Sequence, residues 1–126
     1  MKIISTENAA EARGHYSQAI ASEGLLFISG QLPVGADGTH NYDKPFEEQA
    51  ECVLANLEAI LQAGESQKEN LLKVTVYIAD LAKWGVFNDI YSKFMGEHKP
   101  ARAVVPVPKL HYGYQLEIEA IAKIKK

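Results

Sequence analysis

Polar and apolar positions alternate one by one in several stretches of this chain and recur with a helical period in two others. Leu72, Val74, Val76 and Ile78 alternate with Lys73, Thr75 and Tyr77, the period of a strand with one strongly apolar face. Near the end, Leu116, Ile118, Ala120 and Ala122 fall on one strand face, and Gln115, Glu117 and Glu119 on the other. Another strand-like run begins at Pro100. His111-Tyr112-Gly113-Tyr114 reads as a reversal between these last two runs, which are expected to pair.

Toward the N-terminus, Lys2-Ile3-Ile4 predicts a short edge strand, and residues 8–14 a connecting loop. Residues 16–21 and 25–29 predict a hairpin across Ser22-Glu23-Gly24, where glycine can supply a positive φ. Leu25-Leu26-Phe27-Ile28 is apolar on both faces, which implies burial on both sides. Residues 30–44 hold Gly, Pro, Asp and Asn without helical period and are expected to be loop.

Phe46, Ala50, Val53, Leu54, Leu57 and Leu61 share one helical face. Asp43 is the expected cap, Pro45 sits in the first turn, Glu47 and Glu48 lie near the positive helix end, and Gly64 is the stop. A second helix is expected after Asp80, with Trp84, Phe87, Ile90, Tyr91 and Phe94 on one side and Gly96 as its stop. Gly85 inside it costs about 1 kcal/mol relative to alanine. The order is β-β-β-α-β-α-β-β, an α/β (α+β) chain. Two helices cover one face of such a sheet, and an uncovered apolar face marks an interface, so an oligomer is expected.

At 126 residues the chain is expected to be one domain over its whole length, 1–126. Its net charge of -3 and lack of a long basic cluster argue against a nucleic-acid surface. Lys123, Lys125 and Lys126 read as a solvated end. A single cysteine, Cys52, allows no internal disulfide and fits a reducing compartment. No signal-like segment and no apolar run of spanning length is visible, so the cytoplasm is the expected location and no membrane partner is implied.

Arg102 among Ala and Val has two readings. One is an arginine whose stem covers apolar neighbours; the other is a guanidinium fork aimed into a pocket to take a carboxylate. Periodicity does not separate them. Glu117 is either a solvent-facing strand residue or a general base. Tyr16 and Ser29 have bland readings as a packed ring and a strand-end hydroxyl. Ser29 lacks a nucleophile elbow and a triad order. His15, His40, His98 and His111 show no metal-ligand spacing, and no metal is implied. His40 and His98 read as surface or turn residues, whereas His15 and His111 stand near the site-bearing stretches. Cys52 reads as an inert thiol off the apolar face of its helix.

Pro100-Ala101-Arg102, followed by Leu116-Glu117-Ile118-Glu119-Ala120-Ile121-Ala122, resembles the C-terminal signature of the Rid family, the reactive intermediate deaminases of the YjgF type. Tyr16-Ser17-Gln18-Ala19 and Ser29-Gly30-Gln31-Leu32-Pro33 resemble that family's N-terminal motifs, and the likeness runs from about Ser5 to Ala122. The resemblance implies a chorismate-mutase-like fold, with a six-stranded mixed sheet and two helices on one face. It also implies a homotrimer with ligand clefts between subunits. By the same resemblance, Arg102 holds the carboxylate of a 2-imino or 2-enamino acid, and Glu117 activates water. Tyr16 and Ser29 then line the pocket, with His15, Val104 and His111 as further lining candidates. The implied reaction is cofactor-free hydrolysis to a 2-oxo acid and ammonia.

The likeness has departures. Gly14-His15-Tyr16 stands where the family commonly has Gly-Pro-Tyr, and Val104 where cysteine is frequent. Pro106-Val107-Pro108 and His111-Tyr112-Gly113-Tyr114 also differ from the usual run, which suggests a side branch with altered substrate size or rate. One rival reading is a non-catalytic trimer that binds small carboxylates or docks a protein. Another is the endoribonuclease or translation-inhibitor activity ascribed to some relatives, which the acidic balance disfavours.

Overall fold

The computed structural model describes residues 1–124; Lys125 and Lys126 of the expected solvated end lie outside the described residues. The elements are β1 (Lys2–Ile4), β2 (Ala19–Ser22), β3 (Leu25–Gln31), α1 (Phe46–Ala63), β4 (Leu71–Ile78), α2 (Trp84–Met95), β5 (Ala101–Pro106) and β6 (Leu116–Lys123). This is the expected order. The strands form one six-stranded sheet, β1-β2-β3-β6-β4-β5. β4 and β5 are parallel and joined through α2, while every other neighbour pair is antiparallel.

The last two strands do not pair with one another. β6 inserts between β3 and β4, and β5 lies beyond β4 at the sheet edge. The reversal at residues 111–114 therefore carries the chain across β4 rather than closing a hairpin. Leu72 also departs from the expected face. The register slips at Leu71–Lys73, so Leu71 is buried in its place and Leu72 is turned outward.

The β2–β3 turn is a two-residue hairpin with φ of 54° at Glu23 and 78° at Gly24, the left-handed pair such tight hairpins require. Asp43 does not cap α1; Pro45 holds that position without a side-chain hydrogen bond. Buried Gln49 ties down the approach instead, donating from Nε2 to the Lys44 carbonyl (3.0 Å) and accepting the Gln115 N–H (3.0 Å). Asp80 caps a 3-10 turn at Leu81–Lys83 that feeds α2, accepting the Ala82 N–H at 3.0 Å.

Both helices pack on one sheet face. Phe46, Ala50, Val53, Leu54, Leu57 and Leu61 of α1 are buried against it, as the spacing predicts. Phe87, Tyr91 and Met95 provide the buried side of α2. Each fully buried Leu, Ile or Phe contributes about 1.5–3 kcal/mol relative to exposure. Gly64 follows the last residue of α1 and packs on the Leu26 side chain of β3: a Cβ there would lie 2.6 Å from Leu26 Cδ2.

Residues directly opposite one another across strands share a face. One row runs Ile4, Ala19, Ile28, Ala120 and Val74, all under the helices, and ends at Arg102 on the edge. The adjacent row runs Ile3, Ile20, Phe27 and Ile121 on the open face. Phe27 is 42% exposed and Ile3 64%, so β3 is covered on one side only within the chain.

Candidate functional site

The open end of β3 and β6 forms a cleft of about 800 Å³ whose lining includes Tyr16, Ser29, Gly30, His40, His111, Tyr112 and Glu117. A bulge creates its floor. Ile28 faces Ala120 and Gln31 faces Ile118, leaving two residues, Ser29 and Gly30, opposite Glu119. β3 thus continues through Gly30 to Gln31, where loop was expected. The glycine leaves room for the Glu117 side chain. A Cβ on Gly30 would overlap the Glu117 Oε2 atom, so only glycine lets this carboxylate lie across the bulge.

The Ser29 hydroxyl donates to the Ser17 carbonyl at 2.6 Å, and the Ser29 N–H donates to the Gln18 carbonyl at 3.0 Å. With its proton engaged, Ser29 Oγ offers lone pairs to a ligand. Buried Gln18 holds the opposite wall by accepting the Thr6 N–H (2.7 Å) and donating to the Ala10 carbonyl (2.7 Å). Tyr16 precedes β2 in a loop rather than opening the strand, and the residue is 52% exposed. Burial pushes the Glu117 carboxyl above the usual carboxylate range, neighbouring Glu119 adds to the rise, and His111 opposes it. Glu119 itself accepts a hydrogen bond from the Tyr77 hydroxyl at 3.1 Å.

Arg102 belongs to a different surface of the chain. It faces Val74 on the helix side, whereas Glu117 faces Tyr77 on the open side. Its guanidinium carbon lies 4.9 Å from the Trp84 ring centroid and 4.8 Å from that of Tyr91. Nη1 donates to Asn88 Oδ1 at 3.2 Å. The described residues form no ion pair with Arg102. Two rings and one amide therefore fix the fork while its remaining N–H groups stay available to an anion. The Tyr91 hydroxyl is buried without a hydrogen-bond partner among the described residues.

Tyr16, Ser29, His111 and Glu117 come together in the cleft; Arg102 and Val104 share the other face near α2, and exposed His15 is not part of the cleft lining. His40, read as a surface residue, lines the cleft with its Nδ1 2.6 Å from the Tyr114 hydroxyl. No local pattern marks that contact, because its partner is 74 residues away. Gly30 reads in the sequence as the start of a loop, so the bulge it forms was missed as well. His98 serves the fold, donating from Nε2 to the Leu71 carbonyl at 2.8 Å. Cys52 is half-buried, and burial pushes its thiol pKa up, which keeps it protonated. No group of three or more His, Cys, Asp or Glu among the described residues could hold a metal ion. No described helix is long and apolar enough to cross a membrane.

The fold and site define a class of small α+β protein with a carboxylate-bearing cleft on one side and a clamped arginine on the other. Comparison with known proteins gives the family. Residues 6–124 match the family described as Endoribonuclease L-PSP. The "RutC family protein PH0854" of Pyrococcus horikoshii is 40% identical over 121 residues, 96% of this chain and 96% of that protein. "Reactive Intermediate Deaminase A, chloroplastic" of Arabidopsis thaliana is 37% identical over 123 residues, 98% of this chain and 66% of that protein. The crystal structure of E. coli TdcF with bound serine superposes with a TM-score of 0.92 at 35% identity, covering 99% of this chain and 100% of that one. The chain belongs to the Rid family.

Proposed function

We propose that this protein hydrolyses reactive 2-imino and 2-enamino acids to 2-oxo acids and ammonia, in a cleft completed by a second copy of the chain within a homotrimer. The observation that carries the reading is the division of the site. Arg102 is clamped at the edge with N–H groups free, while Glu117, Ser29 and Tyr16 line a cleft on the other face. On this reading one chain contributes two complementary halves, set on opposite faces of its sheet. The uncovered row of Ile3, Ile20, Phe27 and Ile121 supplies apolar surface for association. A deaminase relative and a serine-bound relative support the chemistry, because serine carries its carboxylate and nitrogen on one carbon.

Arg102 of one copy would take the substrate carboxylate in its fork. The Glu117 carboxylate of the next copy accepts a proton from water as the water oxygen bonds to the C=N carbon. The imine nitrogen takes up a proton from solvent, giving a carbinolamine that carries one hydroxyl and one amino group. Glu117 then returns its proton to that nitrogen, the C–N bond breaks, and ammonia leaves as C=O forms and the hydroxyl proton passes back to solvent. Ser29 Oγ is suited to accept from the imine N–H. No cofactor enters these steps. Because such imines also hydrolyse unaided, positioning the water and the carbon supplies the acceleration.

The test is the rate of loss of 2-iminobutyrate, generated in situ by a dehydratase, with and without the protein. Acceleration with matching ammonia release is expected; none across several imines would leave a carboxylate-binding trimer as the better reading. The family description also names an endoribonuclease. Glu117 and Glu119 in the cleft oppose a phosphate backbone, and salt-sensitive RNA binding would be the sign of that activity.

Gly30→Ala is expected to push the Glu117 carboxylate off its position. A displacement near 1 Å lowers turnover by roughly a hundredfold. Measuring kcat beside the thermal midpoint separates displacement from unfolding.

A further inference from the structure

The cleft wall that the proposed chemistry leaves unused is aromatic. Tyr112 stands at the cleft 62% exposed, on a backbone with φ 60° and ψ 11°, in the left-handed region that a bulky residue seldom adopts. Such a conformation persists when neighbours enforce it, and exposed strained residues cluster at ligand sites. Here the neighbours are rings. His40 lies 4.7 Å from Tyr112 between centroids, and Tyr114 meets it edge-on at 6.0 Å.

A buried post sets the wall. Tyr114 is 1% exposed, and its hydroxyl oxygen accepts the Asn41 N–H at 3.2 Å. His40 Nδ1 lies 2.6 Å from the same hydroxyl, and this hydrogen bond holds the imidazole ring behind Tyr112. The wall itself offers ring faces and edges.

Tyr112 lines the same cleft as Ser29 and Glu117.

We infer that the preferred substrates are 2-imino acids with aromatic side chains, the substrate ring lodging against Tyr112 backed by His40. This rests on the imine-hydrolase reading and adds the substrate class to it. Offset or edge-on ring contacts favour an aromatic over an aliphatic side chain by about three- to tenfold beyond the area buried.

The experiment compares kcat/KM for the imines formed by an amino-acid oxidase, with catalase present, from L-phenylalanine and from L-alanine. Wild type is expected to favour the phenylalanine-derived imine by about tenfold or more. Tyr112→Ala is expected to bring the ratio close to one, and Tyr112→Phe to retain it. Equal rates in wild type, or a ratio untouched by Tyr112→Ala, overturn the inference while leaving the hydrolase reading intact. Acceleration of neither imine overturns both. Inhibition of imine hydrolysis by phenylpyruvate, stronger than by pyruvate in wild type and equal in Tyr112→Ala, reports the same preference from ligands that are not themselves turned over.

Discussion

Arg102→Ala is expected to lower kcat/KM for 2-iminobutyrate by at least about a hundredfold, since two hydrogen bonds to a charged partner are worth roughly 1.5–3 kcal/mol each. Arg102→Lys should fall between the variant and wild type, because an ammonium keeps the charge and loses the parallel donors. The guanidinium is held by Trp84, Tyr91 and Asn88 and not by an ion pair among the described residues, so its removal leaves no buried opposite charge behind. A change confined to kcat/KM with a small shift in thermal midpoint is therefore the expected signature. Trp84 is the chain's single tryptophan and lies 4.9 Å from this guanidinium, so its fluorescence reports the same event. Titration with 2-oxobutyrate should alter the emission of wild type and leave that of Arg102→Ala unchanged. Saturable quenching that survives in Arg102→Ala would put the carboxylate elsewhere.

Glu117→Gln is expected to reduce kcat by about a hundred- to ten-thousandfold, the range for losing a general base. Two pH effects accompany it. The base acts as carboxylate, so wild-type kcat should rise with pH through a pKa above the ordinary carboxylate range, and this limb should vanish in Glu117→Gln. The stability effect has the opposite sign. Folded Glu117 retains its proton to a higher pH than it does unfolded, so the folded state binds more protons through that window. Stability consequently falls as pH rises through the folded-state pKa. Glutamine does not titrate, so the variant's thermal midpoint should exceed that of wild type at neutral and alkaline pH. The two should converge below about pH 4, where the carboxyl is protonated in both states. A wild-type midpoint higher than the variant's at neutral pH would mean that the Glu117 carboxylate stabilises the fold.

Local pattern carried the elements further than it carried their neighbours. Alternation in β6 placed Leu116, Ile118, Ala120 and Ala122 in the core, and the helical period of α1 named its buried face. Both signals arise from one element meeting one apolar surface. The insertion of β6 between β3 and β4 is a long-range choice, and nothing within residues 100–122 distinguishes it from a hairpin. The face of Arg102 was equally hidden. β5 is apolar on both sides, with Ala101, Ala103 and Val105 alternating against Arg102 and Val104, so its phase is set only by register with β4. The site was legible through motifs at Tyr16, Ser29 and Glu117, which the fold gathers in one cleft. Its bulge was hidden because Gly30 reads as the start of the 30–44 loop, and the His40–Tyr114 contact left no local trace because it spans 74 residues.

The central claim is that Arg102 and Glu117 act together across a subunit boundary, and subunit complementation tests it most directly. Arg102→Ala and Glu117→Gln chains, each inactive alone, are dissociated, mixed one to one and reassembled, with mixed oligomers verified by mass. Random assembly places an intact Arg102 beside an intact Glu117 at about a quarter of the boundaries of a ring, so about a quarter of wild-type activity should return. Mixed oligomers that form and stay inactive would contradict a site shared between chains.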